Sequence, residues 1–201
     1  MIAKMRNYMG IAPVSTGGDF IGGEIDVTTT QPQFAPTDGW VTTAMLSSFF
    51  RSNGNAFGVD ASATTANKDT AVSYTGGWVR ATMFETQNHA LSISKRTFGN
   101  LFTVQVGGQF IPYQGYVNQR MDMVYNRSLF INGRYEGLFD WGTFEASAFA
   151  HTIRHTMGFV APDKTGNMPM DTKATDSGYS LKATITASRT PSCCLSLAVS
   201  R

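Results

Sequence analysis

No stretch of about eighteen consecutive apolar residues occurs in this chain, so a transmembrane helix is excluded. Charge is also scarce. Asp, Glu, Lys and Arg make up 15% of the 201 residues, well under the quarter usual in soluble domains. The net charge of +2 comes without a Lys/Arg run, so the chain has no electrostatic footprint for nucleic acid. Cys193 and Cys194 are the only cysteines; being adjacent, they close no constraining loop, and with no histidine nearby they make no metal site. The opening residues MIAKMRNYMG lack the apolar core of a signal peptide, so the expectation is either a soluble chain or one whose beginning lies upstream. Catalytic patterns are missing as well. No G-x-S-x-G elbow presents a nucleophile, and His151 and His155, on one strand face, would stand roughly 13 Å apart, too far for one metal ion. The chain is read as a non-enzyme without a cofactor.

What the chain does have is alternation. LFTVQVGGQF (101–110) sets Phe102, Val104, Val106, Gly108 and Phe110 against Thr103, Gln105, Gly107 and Gln109. YSLKATITAS (179–188) sets Tyr179, Leu181, Ala183, Ile185 and Ala187 against Ser180, Lys182, Thr184, Thr186 and Ser188. Strict period two with one apolar face is the pattern of a strand. AFGVDASATTAN, AVSYTGGWV, SLFINGRYEG and GTFEASAFAHTIRH follow it less purely, and about eight strands are expected over residues 39–188. With 12% aromatics, 20 Gly and many Ser and Thr, this suits an all-β protein whose outer face need not meet water.

The links alternate in kind. Tight ones are expected at residues 67–69, 99–100 and 140–142, and long ones at 111–126 and 156–176, with shorter members near 52–55 and 85–87. An up-and-down meander puts alternate links at opposite ends, so one end should carry minimal turns and the other elaborated loops, as in outer-membrane barrels. Ahead of the strands, GIAPVSTGGDFIGGEIDVTT (10–29) has two glycine pairs but neither a Lys-Ser/Thr pair nor a following helix, so it cradles no phosphate. It is read as tightly turned β structure ending in the short strand EIDVTT, with QPQFAP (31–36) as a linker.

These residues resemble a family. PVSTGGDFIGGEIDVTT is similar to the end of the plug domain of TonB-dependent outer-membrane receptors, and FFRSNGNAFG, QVGGQFIPYQGYVNQRMDMVYN, GRYEGLFDWGTFEASAF, RHTMGF and NMPMDT resemble the first part of their barrel, in order, through about Ser188. The resemblance implies a plug remnant and linker over 1–36 and a partial transmembrane barrel of about eight strands over 37–188; residues 189–201 depart from it as an irregular tail, for which a shift of reading frame and ordinary divergence are the two alternatives. It also implies residence in the bacterial outer membrane, contact with outer-membrane lipid, energy from the TonB complex in the full-length parent, and uptake of a siderophore, a copper or iron chelate, or a similar scarce solute. No TonB box is seen, and the chain is read as a fragment. The alternatives left open are a complete eight-stranded structural or adhesive barrel and a soluble sandwich.

The long link IPYQGYVNQRMDM (111–123) breaks the alternation with polar and aromatic residues, and loops on rigid strands carry recognition. Tyr113, Gln114, Asn118, Gln119, Arg120 and Asp122 are therefore the solute-binding candidates. Met121 and Met123 in this link, with His155, Met157, Met168 and Met170 in or beside the next long one, offer thioether and imidazole donors suited to a soft ion such as Cu(I). RHTMGF and NMPMDT are also similar to stretches of copper-type receptors of the superfamily.

Overall fold

The computed structural model describes residues 2–9, 23–29, 31–160, 163–185 and 193–200. Two strands, β1 (Ile2–Met9) and β2 (Gly23–Thr29), form an antiparallel pair of their own. The expected EIDVTT strand is present in β2, and its partner β1 was not foreseen. The Gly17-Gly18 pair and Ala187 lie outside the described residues.

The remaining strands make one nine-stranded sheet in which every strand pairs antiparallel with its sequence neighbours: β3 (Val41–Arg51), β4 (Ala56–Ala66), β5 (Thr70–Ala81), β6 (Phe84–Thr97), β7 (Asn100–Gln114), β8 (Asp122–Phe139), β9 (Gly142–Gly158), β10 (Met170–Ile185) and β11 (Cys193–Ser200). The expected eight strands correspond to β3–β10. The ninth corrects the reading of an irregular tail. CLSLAVS itself alternates, and the register sets Leu195, Leu197 and Val199 opposite Ala183, Leu181 and Tyr179.

Alternation sorts the side chains onto two faces. One register row runs Val104–Gly133–Ala148–Tyr179 and the next Phe102–Tyr135–Ala146–Leu181, so the apolar residues of β7 and β10 share one face, as the sequence pattern requires. That face is open to the surroundings: Leu46 is 74% exposed, Phe50 67%, Phe102 51% and Ile131 49%. The opposite face carries Thr43, Ser62, Ser73, Ser92, Gln105 and Asn132, and the sheet curls toward it. Met45 on β3 and Phe130 on β8 border one cavity of about 650 Å³. In a flat sheet five inter-strand steps of about 4.8 Å would hold those strands roughly 24 Å apart. The sheet is therefore concave on its polar side and convex on its apolar side, a barrel wall rather than half of a sandwich.

Aromatic pairs flank the convex apolar band at both ends. Phe102–Tyr135 (ring centroids 4.7 Å apart), Tyr135–Phe144 (6.1 Å) and the stacked Phe139–Trp141 (5.2 Å) stand at one end, with Phe57–Trp78 (6.0 Å) and Phe110–Tyr125 (5.7 Å) at the other. From Phe102 to Phe110 is roughly 26 Å along the strand, or about 20 Å for a strand tilted by roughly 40°. Two aromatic girdles around an apolar band of about that height are the arrangement of the outer face of transmembrane β-barrels.

The links fall at two ends as counted. At one end Arg96 donates its N–H to the Asp69 carbonyl (2.7 Å) and Leu138 to that of Gly99 (3.0 Å), which joins the tight turns at 67–69, 98–99 and 140–141. At the other, Thr82 donates to Gly54 (2.9 Å) and Gly115 to Met83 (2.6 Å), which joins the links at 52–55, 82–83 and 115–121. The pattern break at residues 85–87 is a β-bulge rather than a turn, and the turn lies two residues earlier. The linker is pinned at the tight-turn end, where Ala35 donates to Asn67 (3.1 Å) and the Arg96 guanidinium lies over the Phe34 ring (4.5 Å to the centroid). Its residues Gln31, Pro32 and Gln33 lie against the concave face beside Met45, Thr64 and Gln105. At the same end Lys68 holds Asp38 at 2.6 Å, and that hydrogen bond, with the adjacent negative charge, keeps the ammonium pKa above its ordinary value.

Gly142, which opens β9 with φ +142, is the position most sensitive to a side chain. An added Cβ would collide with the backbone carbonyl of Thr184 on β10, and an L-residue is strained at that φ in any case. Gly142→Ala should therefore weaken the sheet by about 1–3 kcal/mol. Equilibrium unfolding in lipid bilayers checks this, and a variant as stable as the parent would contradict the described turn.

Candidate functional site

The two long links meet. Lys164, in the link at 159–169, donates its ammonium to the Tyr116 carbonyl (2.6 Å) and to the Asp122 carboxylate, 42 residues away in sequence. Asp122 also accepts the Tyr116 N–H (2.9 Å). The Lys164 side chain is 7% exposed and that of Asp122 fully buried, so the ion pair lies inside the loop cluster. A buried pair is retained only when further hydrogen bonds satisfy its remaining donors and acceptors, and Tyr116 supplies both a donor and an acceptor. The sequence placed Asp122 among the solute ligands; the structure makes it the tie between loops.

The other candidates separate by place. Tyr113 and Gln114 belong to β7, in register with Glu85 and Phe84 on β6, and are half-buried at the loop end of the wall. The expected loop is shorter than read, because residues 111–114 and 122–126 are strand. An extended backbone needs only neighbouring backbone partners, so polar and aromatic side chains do not end it. Asn118, Gln119 and Arg120 are exposed in the link at 115–121.

The soft donors come together in part. Met123 on β8, Met157 on β9 and Met170 on β10 are direct register partners across three adjacent strands. Such partners have Cα atoms about 4.5–5.5 Å apart. His155 lies two residues from Met157 on β9 and so shares its face, with Thr172 and Asn126 as its own register partners. Its Nδ1 is 3.4 Å from Asn126 Oδ1. A β-bulge between Met123 and Tyr125 shifts the β8–β9 register by one and brings Met123 level with Met157; bulges recur beside functional sites because they re-aim a side chain. Met123 is buried, Met157 half-buried and Met170 about half exposed (49%), so exposure rises along the row from β8 to β10. Met121, half-buried, and Met168, 79% exposed, lie in the links outside this row. No group of three or more His, Cys, Asp or Glu among the described residues is placed to hold a metal ion, so the thioethers are the donors on offer.

Below the row, β8 and β9 carry Ser128 and His151 on the concave face, joined at 3.2 Å. Further around the wall, Asp60, Thr75, Asn88 and Gln109 line the concave cavity with Phe130, and Gln109 donates to Asn88 (2.9 Å). These residues were not singled out from the sequence. Their signal was present as the polar half of each alternating strand, but alternation does not say which polar rows enclose a space.

An antiparallel meander, apolar and girdled outside, polar and concave inside, with long links gathered at one end, is the wall of an outer-membrane-type β-barrel. No family model matches the sequence, and no curated protein matches it. Among solved structures, the chain superposes on one described as copper transporter OprC with a TM-score of 0.75, covering 91% of this chain and 31% of that one at 16% identity. At this identity the likeness is one of fold, and the chain spans about a third of the length of the structure it matches.

Proposed function

We propose that this chain forms the loop-bearing wall of a TonB-dependent outer-membrane receptor and captures a soft metal ion, copper in its reduced state or a complex of it, for energised uptake. The observation that carries the reading is the in-register row Met123–Met157–Met170 with His155 beside it, at the loop end of a barrel wall. Thioether and imidazole donors favour Cu(I) over hard ions, and three strands hold them without help from a flexible loop. The structural neighbour, described as a copper transporter, agrees in kind. Residues 1–36 are read as the end of a plug, a view supported by Gln31–Gln33 lying inside the curl of the wall, and residues 37–188 as barrel. Asn118, Gln119 and Arg120 make the first contacts with solute from the link at 115–121, and Tyr113 and Gln114 flank its base. The TonB complex supplies the energy for release.

Replacing Met123, Met157 and Met170 with Leu removes the sulfur donors at nearly constant volume, a change that costs each site under about 1.5 kcal/mol. Cu(I) affinity, measured against a competing chromophoric chelator, should fall at least tenfold, and His155→Gln should lower it further. Unchanged affinity in the triple variant would remove the soft-metal reading and leave the receptor wall standing, with an organic chelate as its solute.

A further inference from the structure

The convex face carries a register row that changes character halfway along the sheet. It runs Val59–Trp78–Gln87–Phe110–Arg127–Arg154–Lys173, from β4 to β10. Trp78 and Phe110 belong to the loop-end aromatic girdle and so mark the height of the membrane interface. On the next three strands the same height is held by three cations side by side, with backbones about 5 Å apart. Like charges directly opposite one another destabilise a sheet.

One carboxylate lies among them. Asp171 accepts a hydrogen bond from Arg154 Nη2 at 2.8 Å and one from Thr156 Oγ1 at 3.1 Å. Among the described residues, Arg127 and Lys173 have no ion-pair partner. The cluster thus keeps two unmatched positive charges. These side chains, with Tyr125, Leu129 and Thr152, line a shallow cavity of about 590 Å³ on the convex face. Leu129 (46% exposed) and Ile131 (49%) continue directly below it as the apolar band. A ligand that fits this place is anionic at one end and apolar at the other, and it approaches from the lipid side rather than through the lumen.

We propose that Arg127, Arg154 and Lys173 bind the phosphate group of an acylated, phosphorylated lipid in the membrane leaflet on the loop side, with its acyl chains over Leu129 and Ile131. Guanidinium groups meet phosphate oxygens through paired, charge-assisted hydrogen bonds, and a lysine adds a point charge. Bound phosphate also offsets the repulsion within the row, so the lipid strengthens the β8–β9–β10 pairing that carries the methionine row. The inference rests on the outer-membrane reading above.

The protein, extracted in neutral detergent, is titrated with three probes: a diphosphorylated acylated glucosamine disaccharide, the same lipid dephosphorylated, and inorganic phosphate. The phosphorylated lipid should bind at least tenfold more tightly than either of the others. Arg127→Gln combined with Lys173→Gln should abolish that preference, whereas Lys68→Gln at the opposite end of the wall should leave it unchanged. Arg127→Lys with Lys173→Arg keeps the charge and should keep most of the binding, which separates loss of charge from damage to the wall. Equal binding of the two lipids, inorganic phosphate binding as tightly as the phosphorylated lipid, or full binding by the Gln pair would overturn the proposal. So would loss of binding in the charge-preserving pair. A parent protein that does not enter detergent as folded β-sheet would count against the outer-membrane reading itself, an outcome distinct from a folded protein indifferent to phosphate.

Discussion

Lys164→Met should unfasten the two long links from each other. The ammonium is the cation of a fully buried carboxylate, and removing one partner of such a pair costs about 3–5 kcal/mol, because the remaining charge stays out of water. That range corresponds to roughly two to nearly four orders of magnitude in a local opening equilibrium. The loss should be confined to the links at 115–121 and 159–169, since the strands beneath keep their own ladders. Amide hydrogen exchange reads this directly: protection near Tyr116 should fall by that factor while β6 and β7 stay protected. The double variant Asp122→Asn with Lys164→Met should recover part of the loss, because it removes both charges together. If exchange in both links is unchanged in the single variant, the tie is not what orders the mouth. On the proposed function, solute capture would be affected at a distance, through the position of Asn118, Gln119 and Arg120 rather than through any lost contact.

A pair of adjacent substitutions tests which face meets lipid. Ile131 lies on the convex row Val106–Ile131–Ala150, and Asn132 on the concave row Gln105–Asn132–Phe149. An arginine on the lipid face near the bilayer midplane costs about 2–4 kcal/mol, whereas the same residue in an aqueous lumen costs little. Ile131→Arg should therefore lower bilayer folding stability by that amount, and Asn132→Arg should change it by less than about 1 kcal/mol. Urea unfolding in vesicles distinguishes them. Equal effects, or a larger one at Asn132, would reverse the assignment of faces and with it the position of both the methionine row and the basic row.

Much of this architecture was legible in the residues. Period two in LFTVQVGGQF and YSLKATITAS determines strand and face together, because successive side chains must point to opposite sides of a pleated backbone. The count of strands then determines which links share an end. The same pattern was present in LSLAVS, where it was masked by the Pro and the Cys pair just before it. Strand ends were less legible. Ile111, Tyr113 and Gln114 look like loop by composition, yet β8 and β6 continue far enough to pair them.

What only the tertiary structure decided are the relations between strands. That Met123, Met157 and Met170 stand in one row depends on two turn geometries and on a bulge at Val124, none of which the local alternation encodes. That Arg127, Arg154 and Lys173 stand at the height of Trp78 depends on the register carried across six pairings from β4 to β10. Asp122 read as an exposed loop acid because its partner is 42 residues away. The alternation of single residues is a local property of the chain, which is why the sequence by itself determined the wall. A site is made where separate strands are brought level, and that is settled by hydrogen bonding between strands, which no single segment contains.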